Sequence, residues 1–197
     1  LSNLEILELR NNPLVTIQSG LFRPLTSLLT LYLDNTGLTS INRLWFETTT
    51  NLRSLWLQYN NITTVEPNSF TGLTSLLTLD LQGNQIDFLQ SNAFTTLTNL
   101  TTLYLSRNRL TWLSHDVFTG LSNLQNLYLN FNQLEDLTEE VFWTINSLAV
   151  LGLWGNRLKT INRHYFGNMN SLRYLDFDDN LINAVEQRFI EDASALQ

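Results

Sequence analysis

The sequence contains no cysteine, few basic residues and no long apolar run. The absence of cysteine among 197 residues excludes disulfides, a thiolate nucleophile and a sulfur-liganded metal site, although it leaves the redox compartment open. Eleven Lys and Arg against 18 Asp and Glu give a net charge of −7, and phosphate binding requires a clustered positive face. We therefore expect neither nucleic-acid nor membrane contact. No apolar run approaches the roughly 18 residues of a membrane span, and the first residues lack the basic and then apolar order of a signal peptide.

A 24-residue repeat fills the chain, which is 43% hydrophobic and therefore able to bury a core. Its units begin at Leu4, Leu28, Leu52, Leu76, Leu100, Leu124, Leu148 and Leu172, with no insertion or deletion between them. This spacing is typical of a solenoid, so we expect one domain over residues 1–197. Because the chain opens within the pattern and Leu196 starts a ninth unit, we also expect that the caps are missing and that the chain is a fragment.

Each unit has the form L-x-x-L-x-L-x-x-N-x-L, followed by an apolar residue and a Phe. The fifth unit, LTTLYLSRNRL with Leu113 and Phe118, fits throughout. The pattern resembles leucine-rich repeat proteins of the typical extracellular class, such as Toll-like receptors, Slit-type guidance proteins and insect immune proteins. The resemblance implies an α/β horseshoe solenoid of about eight repeats, with a parallel β-sheet on the concave face and loops or short 3-10 turns on the convex side.

One polar position and one aromatic position recur with the leucines. An Asn closes each strand and is expected to bond turn backbone groups of neighbouring units, at Asn12, Asn60, Asn84, Asn108, Asn132, Asn156 and Asn180. Thr36 replaces it in the second unit and Thr49 replaces an apolar residue there, so we expect the second unit to be the weakest joint. A Phe column should fill the core under the convex loops, at Phe22, Phe46, Phe70, Phe94, Phe118, Phe142 and Phe166, with Ile190 in the last unit.

Residues that could support catalysis or metal binding are scarce. His115 and His164 fall in the convex segments of different units, and no glycine-rich phosphate loop is present. The segment DFDDN at Asp176–Asn180 begins like a calcium loop, but Leu181 stands where such a loop needs glycine. Asp176 and Asp178 should instead share one strand face as an acidic patch, about 7 Å apart. We expect a non-enzymatic protein without cofactor or metal.

Two sequons permit N-glycosylation of a secreted protein. They are Asn61-Ile62-Thr63 and Asn99-Leu100-Thr101. In a chain so rich in Asn, Ser and Thr, two sequons are also expected by accident. They are compatible with an extracellular location but do not establish it.

The positions that alternate with the strand leucines should line the concave face, where they have no role in the core. They form a first column (Glu8, Tyr32, Trp56, Asp80, Tyr104, Tyr128, Gly152, Asp176), a second column (Arg10, Asp34, Gln58, Gln82, Ser106, Asn130, Trp154, Asp178) and a third column (Asn11, Asn35, Tyr59, Gly83, Arg107, Phe131, Gly155, Asp179). Large aromatic residues concentrate in the middle units. Tyr and Trp favour strands in general, but clustered aromatic residues with a polar rim are typical of an interaction site.

We therefore predict a protein-recognition module of an extracellular protein, binding a protein ligand or co-receptor on its concave face. The predicted binding residues are Tyr32, Trp56, Tyr59, Tyr104, Arg107, Tyr128, Phe131, Trp154, Asp176 and Asp178. By resemblance, innate immunity, cell adhesion and guidance are the expected settings. Two alternatives stay open, because aromatic rings also stack on sugars and because homodimers bury such surfaces: carbohydrate binding and self-association.

Overall fold

Eight short parallel strands, one from each repeat, form a single sheet. The computed structural model describes residues 1–14, 16–166, 169–186 and 189, so Ile190 and Leu196 lie outside the described residues. The strands of the sheet are β1 (Ile6–Glu8), β2 (Thr30–Tyr32), β3 (Ser54–Trp56), β5 (Thr78–Asp80), β7 (Thr102–Tyr104), β8 (Asn126–Tyr128), β9 (Val150–Gly152) and β11 (Tyr174–Asp176). They pair in that order, each residue beside the one 24 positions on. The predicted leucine-rich repeat solenoid is confirmed.

The central leucine of each strand points into the core, and its two neighbours point out. Leu31, Leu55, Leu79 and Leu103 stack in register and are fully buried. A strand alternates its side chains between faces, so one leucine between two other residues suffices to fix the inward face. In the first repeat Leu4, Leu7 and Leu9 are only partly buried.

The phenylalanine column lies opposite the sheet, inside the core. Phe22, Phe46, Phe70, Phe94, Phe118 and Phe142 have no exposed surface, and Phe166 is 8% exposed. Neighbouring rings stack across repeats, with centroids 6.0 Å apart for Phe70 and Phe94. The core role predicted for this column is confirmed.

Small secondary elements flank the sheet. Two further pairs of parallel strands join β4 (Thr64–Val65) to β6 (Phe88–Leu89) and β10 (Thr160–Ile161) to β12 (Ala184–Val185). Helical structure in the described ranges is limited to two 3-10 helices, Arg43–Trp45 and Arg163–Tyr165. Each is capped by an Asn, whose side chain accepts a hydrogen bond from the backbone two residues on. None of the helices described here is long and apolar enough to cross a membrane.

The asparagine column forms a continuous ladder. Asn108 is representative: its Nδ2 donates to the carbonyls of Leu81 and Leu105, and its Oδ1 accepts from the N–H of Ile86 in the preceding repeat. The same pattern recurs from Asn60 to Asn180. Each amide therefore ties two repeats together, as expected from the sequence.

Thr36 makes only part of this bonding. Its hydroxyl donates to the carbonyl of Leu33, and Asn60 Oδ1 accepts from both its N–H and its hydroxyl. It makes no hydrogen bond to the described residues of the first repeat, where the N–H of Leu14 donates to the carbonyl of Asn12. The indole of Trp45 partly offsets this loss, because its Nε1 donates to the carbonyl of Ile17 across the same junction.

We predict that Thr36→Asn stabilises the protein by about 0.5–1.5 kcal/mol, since an amide there would accept from Leu14 and donate toward Leu9. The measurement is the urea midpoint, with Thr36→Val as the matched variant that removes the hydroxyl and adds no ladder bond. Thr36→Val should destabilise. A lowered midpoint for Thr36→Asn would show that the first repeat does not present its turn to this position.

Candidate functional site

The third column has an unusual backbone. Its eight residues follow the strands and all have positive φ, between 50° and 69°. The N–H groups of the first seven donate to second-column carbonyls of the next repeat, as Tyr59 does to Gln82 at 2.9 Å. Five of the eight positions hold Asn, Gly or Asp, which tolerate this conformation. The other three positions hold Tyr59, Arg107 and Phe131, for which the left-handed conformation costs about 1–2 kcal/mol of stability each.

The aromatic residues of this column lie over glycines of the next repeat. A Cβ added to Gly83 would come within 2.5 Å of the Tyr59 ring, and one added to Gly155 within 2.8 Å of the Phe131 ring. Gly83 and Gly155 are themselves in the left-handed conformation. Glycine at these two positions therefore both permits the turn and makes room for the ring beside it.

The predicted binding residues separate into clusters. The N-terminal cluster is Arg10, Tyr32 and Trp56: the guanidinium of Arg10 lies 3.9 Å from the Tyr32 ring centre, and the Tyr32 and Trp56 rings stack at 5.9 Å. Trp56 points to the concave face as predicted, but it is only half exposed. Its Nε1 is buried and has no hydrogen-bond partner in the described structure.

Farther along the face lie a tyrosine pair and a C-terminal cluster. In the tyrosine pair, Tyr104 and Tyr128, the rings are parallel within 5° and 4.9 Å apart. Burial raises the pKa of Tyr104, and the nearby Tyr128 and Asp80 raise it further by electrostatic repulsion. The Tyr104 hydroxyl therefore stays protonated at neutral pH.

The C-terminal cluster is Arg107, Phe131 and Trp154. Arg107 lies 4.5 Å from the Phe131 ring centre, and the Phe131 and Trp154 rings are 4.4 Å apart. The indole of Trp154 donates to Asp179 at 2.7 Å. This hydrogen bond links the cluster to the acidic end of the face.

The remaining predicted residues stand apart from these clusters. Tyr59 is 53% exposed, and its hydroxyl accepts from Gln82 Nε2 at 3.0 Å. Asp176 and Asp178 lie at the end of β11, the last strand of the eight-stranded sheet, where Asp176 accepts from the Tyr174 hydroxyl and from the backbone N–H of Asp178. No hydrogen bond joins either carboxylate to the aromatic side chains of the three clusters in the described part of the chain. Whether these residues bind a ligand stays a prediction.

Asp80 is a feature of the face that the predicted site did not include. It lies in the first column between Trp56 and Tyr104, in register with both, and is only 8% exposed. Burial raises its pKa from 3.8 to about 6, with a smaller contribution from the charge of Asp34, although the N–H of Gln82 bonds its carboxylate. Its position between two large side chains causes this burial. The sequence columns contained that signal, since Asp80 stands between two aromatic residues.

Aromatic exposure is not confined to the concave face. Phe88 and Trp112 lie on the flank, 40% and 48% exposed, with ring centres 5.8 Å apart. Trp154 is less exposed, at 37%. Exposure alone therefore does not identify the binding surface, and Trp112 is a matched control for Trp154.

The other candidate positions lie away from this face. His115 is exposed in a loop, and His164 is part of the second 3-10 helix. No three His, Asp or Glu residues in the described ranges are placed to hold a metal ion. Both sequon asparagines are exposed, but Asn99 Nδ2 donates to the carbonyl of Thr74 at 2.7 Å, whereas Asn61 uses only its Oδ1, toward Gln85.

These observations define a leucine-rich repeat solenoid with an aromatic and acidic sheet face. A family model described as leucine-rich repeat matches residues 26–86, 78–134, 98–153 and 146–197. These ranges together cover most of the chain, so the chain belongs to the leucine-rich repeat family. No curated protein sequence matches the chain.

Two solved structures show the same architecture. The chain is similar to TLR13 in its complex with ssRNA13, at 30% identity and a TM-score of 0.94 over 100% of this chain and 29% of that one. It is also similar to Toll in the glycosylated Toll–Spatzle complex, a hub in Drosophila development and innate immunity, at 30% identity and a TM-score of 0.81 over 89% of this chain and 25% of that one. The chain thus spans less than a third of either receptor chain.

Proposed function

We propose that this segment is a non-enzymatic recognition module of an extracellular leucine-rich repeat protein, which binds a protein ligand or co-receptor through its concave face. The observation that carries the proposal is the placement of Tyr59, Arg107 and Phe131 in left-handed backbone. The other repeats have Asn, Gly or Asp at the same position, so the fold does not require a large side chain in it. Strained bulky residues at a surface turn add nothing to the core, and such strain is concentrated at functional sites.

The composition of the clusters favours a protein ligand. Tyr and Trp provide large contact areas at little entropic cost, and Arg, Tyr and Trp dominate binding hot spots. The three concave columns hold six acids (Glu8, Asp34, Asp80, Asp176, Asp178, Asp179) and two bases (Arg10, Arg107), a net charge of −4. This charge opposes binding of a phosphate backbone. Single-stranded RNA, the partner of TLR13, is therefore the less favoured ligand here.

The similarity to Toll and TLR13 supports an extracellular or endosomal setting and a role in innate immunity. The partners named for those receptors are a protein and an RNA, and neither is a glycan. The exposed sequon at Asn61 is compatible with secretion.

A phage-displayed library of random peptides, selected on the immobilised protein, tests the proposal. We predict that enriched peptides bind at least about tenfold more weakly to Tyr104→Ala and to Trp154→Ala, the loss of one hot spot being about 1.4 kcal/mol or more. Trp112→Ala, which removes a more exposed indole from the flank, should leave their affinity unchanged. Biolayer interferometry provides the affinities.

Other results would support a different function. Peptides that ignore both concave substitutions and lose affinity with Trp112→Ala would move the site to the flank. Binding of single-stranded RNA or of glycans on an array, lost with Tyr104→Ala, would replace the protein ligand by that class. A mass that doubles with concentration in light scattering, and stays monomeric in Trp154→Ala, would assign the face to self-association.

A further inference from the structure

A slot lies in the middle of the concave face, between the N-terminal cluster and the tyrosine pair. Its floor is Asp80, and its walls are Trp56 and Tyr104, the residues beside Asp80 on β3 and β7. Adjacent strands are about 4.8 Å apart, so the two walls are separated by roughly 10 Å. We refer to this space as the Asp80 slot.

The two aromatic walls present flat faces to the slot. Trp56 stacks on Tyr32 with planes within 11°, and Tyr104 stacks on Tyr128 with planes within 5°. Both stacks run from strand to strand, so the rings stand across the sheet. Each wall ring is therefore covered on one face by its stacking partner and turns its other face toward Asp80.

The floor of the slot lacks hydrogen-bond donors. In the described ranges, Asp80 accepts one hydrogen bond, from the N–H of Gln82 to Oδ1, and none at Oδ2. Gln58 Oε1, in the second column of the adjacent repeat, is buried and accepts no hydrogen bond there, and the same is true of Asp34 Oδ1, two repeats from Asp80. Arg10 Nε is 3.8 Å from Asp34 Oδ1, too far for one. A buried acceptor without a donor is costly, which favours a ligand that supplies donors.

The charges around the slot favour a cation. Asp34 from the second repeat adds a negative charge near Asp80, while burial raises the pKa of Tyr104 in the fifth repeat and keeps its hydroxyl neutral. Arg10 is engaged with Asp34, Glu8 and the Tyr32 ring, and Arg107 with the Phe131 ring. Neither guanidinium neutralises Asp80.

We infer that the Asp80 slot binds an arginine side chain of the protein ligand, an inference that rests on the proposed function of the concave face and specifies its ligand chemistry. A planar guanidinium can stack on Trp56 and Tyr104 and donate to the Asp80 carboxylate at the same time. An ammonium is more strongly hydrated and lacks a flat face, so lysine is the weaker ligand.

The first test uses a minimal probe, acetyl-arginine methylamide, with the isotope-labelled protein. We expect saturable shifts of the Trp56 indole N–H resonance below about 50 mM probe. Acetyl-citrulline methylamide has nearly the same shape without the charge, and should bind at least about tenfold more weakly. Acetyl-lysine methylamide should fall between them. Equal binding of the arginine and citrulline probes, or no saturable shift with arginine, would overturn the inference.

Two variants locate the probe. Asp80→Asn retains the shape of the side chain and the acceptor for Gln82, and should weaken arginine binding by at least about tenfold. Asp87→Asn removes an exposed acid of the same repeat outside the concave columns and should have no effect. The amide spectrum of each variant establishes that it is folded. If Asp87→Asn weakens binding as much as Asp80→Asn, the probe senses the net charge of the protein and the slot is not its site.

The pH dependence provides an independent check. Because the pKa of Asp80 is about 6, its carboxylate is mostly protonated at pH 5, whereas arginine keeps its charge. Binding of the arginine probe should fall by about tenfold between pH 7.5 and pH 5 in the wild type, and by much less in Asp80→Asn. An equal fall in both proteins would contradict the role of Asp80.

The two proposals can fail separately. Displayed peptides that depend on Tyr104 and Trp154 but neither contain arginine nor respond to Asp80→Asn would retain the proposed function and remove the slot from it. If the arginine probe binds at Asp80 but the displayed peptides bind only the flank, the slot is retained as an arginine site and the proposed function of the concave face is rejected.

Discussion

Asp80→Asn is expected to stabilise the protein by about 1–3 kcal/mol near pH 7.5. The pKa of Asp80 is raised from 3.8 to about 6 in the folded state, chiefly by burial. A folded-state pKa above the unfolded one means that the folded protein binds the proton more tightly, so ionisation of Asp80 costs stability. A difference of this size corresponds to at most about 3 kcal/mol. Asparagine retains the hydrogen bond from Gln82 and has no charge to bury.

The gain should depend on pH in a defined window. Well below pH 3.8 the carboxyl group is protonated in both states and the cost is absent; the cost grows as the pH rises between 3.8 and about 6, and well above pH 6 the group is ionised in both states and the cost is complete. Urea unfolding at about pH 7.5, 6 and 4.5 should therefore show the advantage of Asp80→Asn shrinking as the pH falls. Asp178→Asn, at an exposed position on the same face, should change stability by less than about 0.5 kcal/mol. A destabilised Asp80→Asn at every pH would mean that the carboxylate already has a donor in solution.

A stabilising substitution at a solvent-facing column would bear on function. Stabilising substitutions commonly lower activity where function needs a strained or destabilised site. Asp80 does not contribute to the hydrophobic core, because the core positions beside it are occupied by Leu79 and Leu81. Tyr59 and Phe131 also add nothing to the core. Both have a left-handed backbone conformation, which glycine or asparagine would adopt more easily. The concave face therefore holds several residues that the fold alone does not explain.

The repeat columns made the fold predictable. Each of the leucine, asparagine and phenylalanine columns recurs from repeat to repeat, and this recurrence predicts the environment of its members. The pattern therefore predicts that Leu55 is buried, that Asn108 bonds turn backbone groups and that Phe118 lies in the core. The left-handed third column was also predictable, since Asn11, Asn35, Gly83, Gly155 and Asp179 are residues that favour positive φ. The larger residues at the other three positions obscured that signal.

Features that depend on one repeat alone were not predictable. Trp45 bonds Ile17 across a junction where the ladder is incomplete, and no other repeat carries a tryptophan at that position. The flanking strands β4 and β6 are two residues long and pair only locally. The burial of Asp80 arises from the sizes of its neighbours on adjacent strands. Such contacts can be predicted only once the register between neighbouring strands is known.

The largest loss of stability is expected for Asn108→Ala, about 2–4 kcal/mol. Its three ladder hydrogen bonds are buried and contribute roughly 1 kcal/mol each. The consequences differ among the three partners. The carbonyl of Leu81 also accepts from Asn84, and that of Leu105 also accepts from Asn132, so both stay bonded. The N–H of Ile86 has Asn108 Oδ1 as its hydrogen-bond acceptor, and its burial without one accounts for most of the loss.

Two further variants separate the stranded N–H from the loss of packing. Asn12→Ala removes the first amide of the ladder, which is exposed and bonds only the carbonyls of Leu9 and Arg10, so it should cost less than about 1 kcal/mol. Asn108→Thr reproduces the arrangement at Thr36, where the hydroxyl donates to the carbonyl three residues before it. It should recover part of the packing but still leave Ile86 unbonded, and unfold between Asn108→Ala and the wild type in urea. Equal losses for Asn12→Ala and Asn108→Ala would show that the ladder contributes through its carbonyl bonds, which both amides make, and not through the N–H that only Asn108 satisfies.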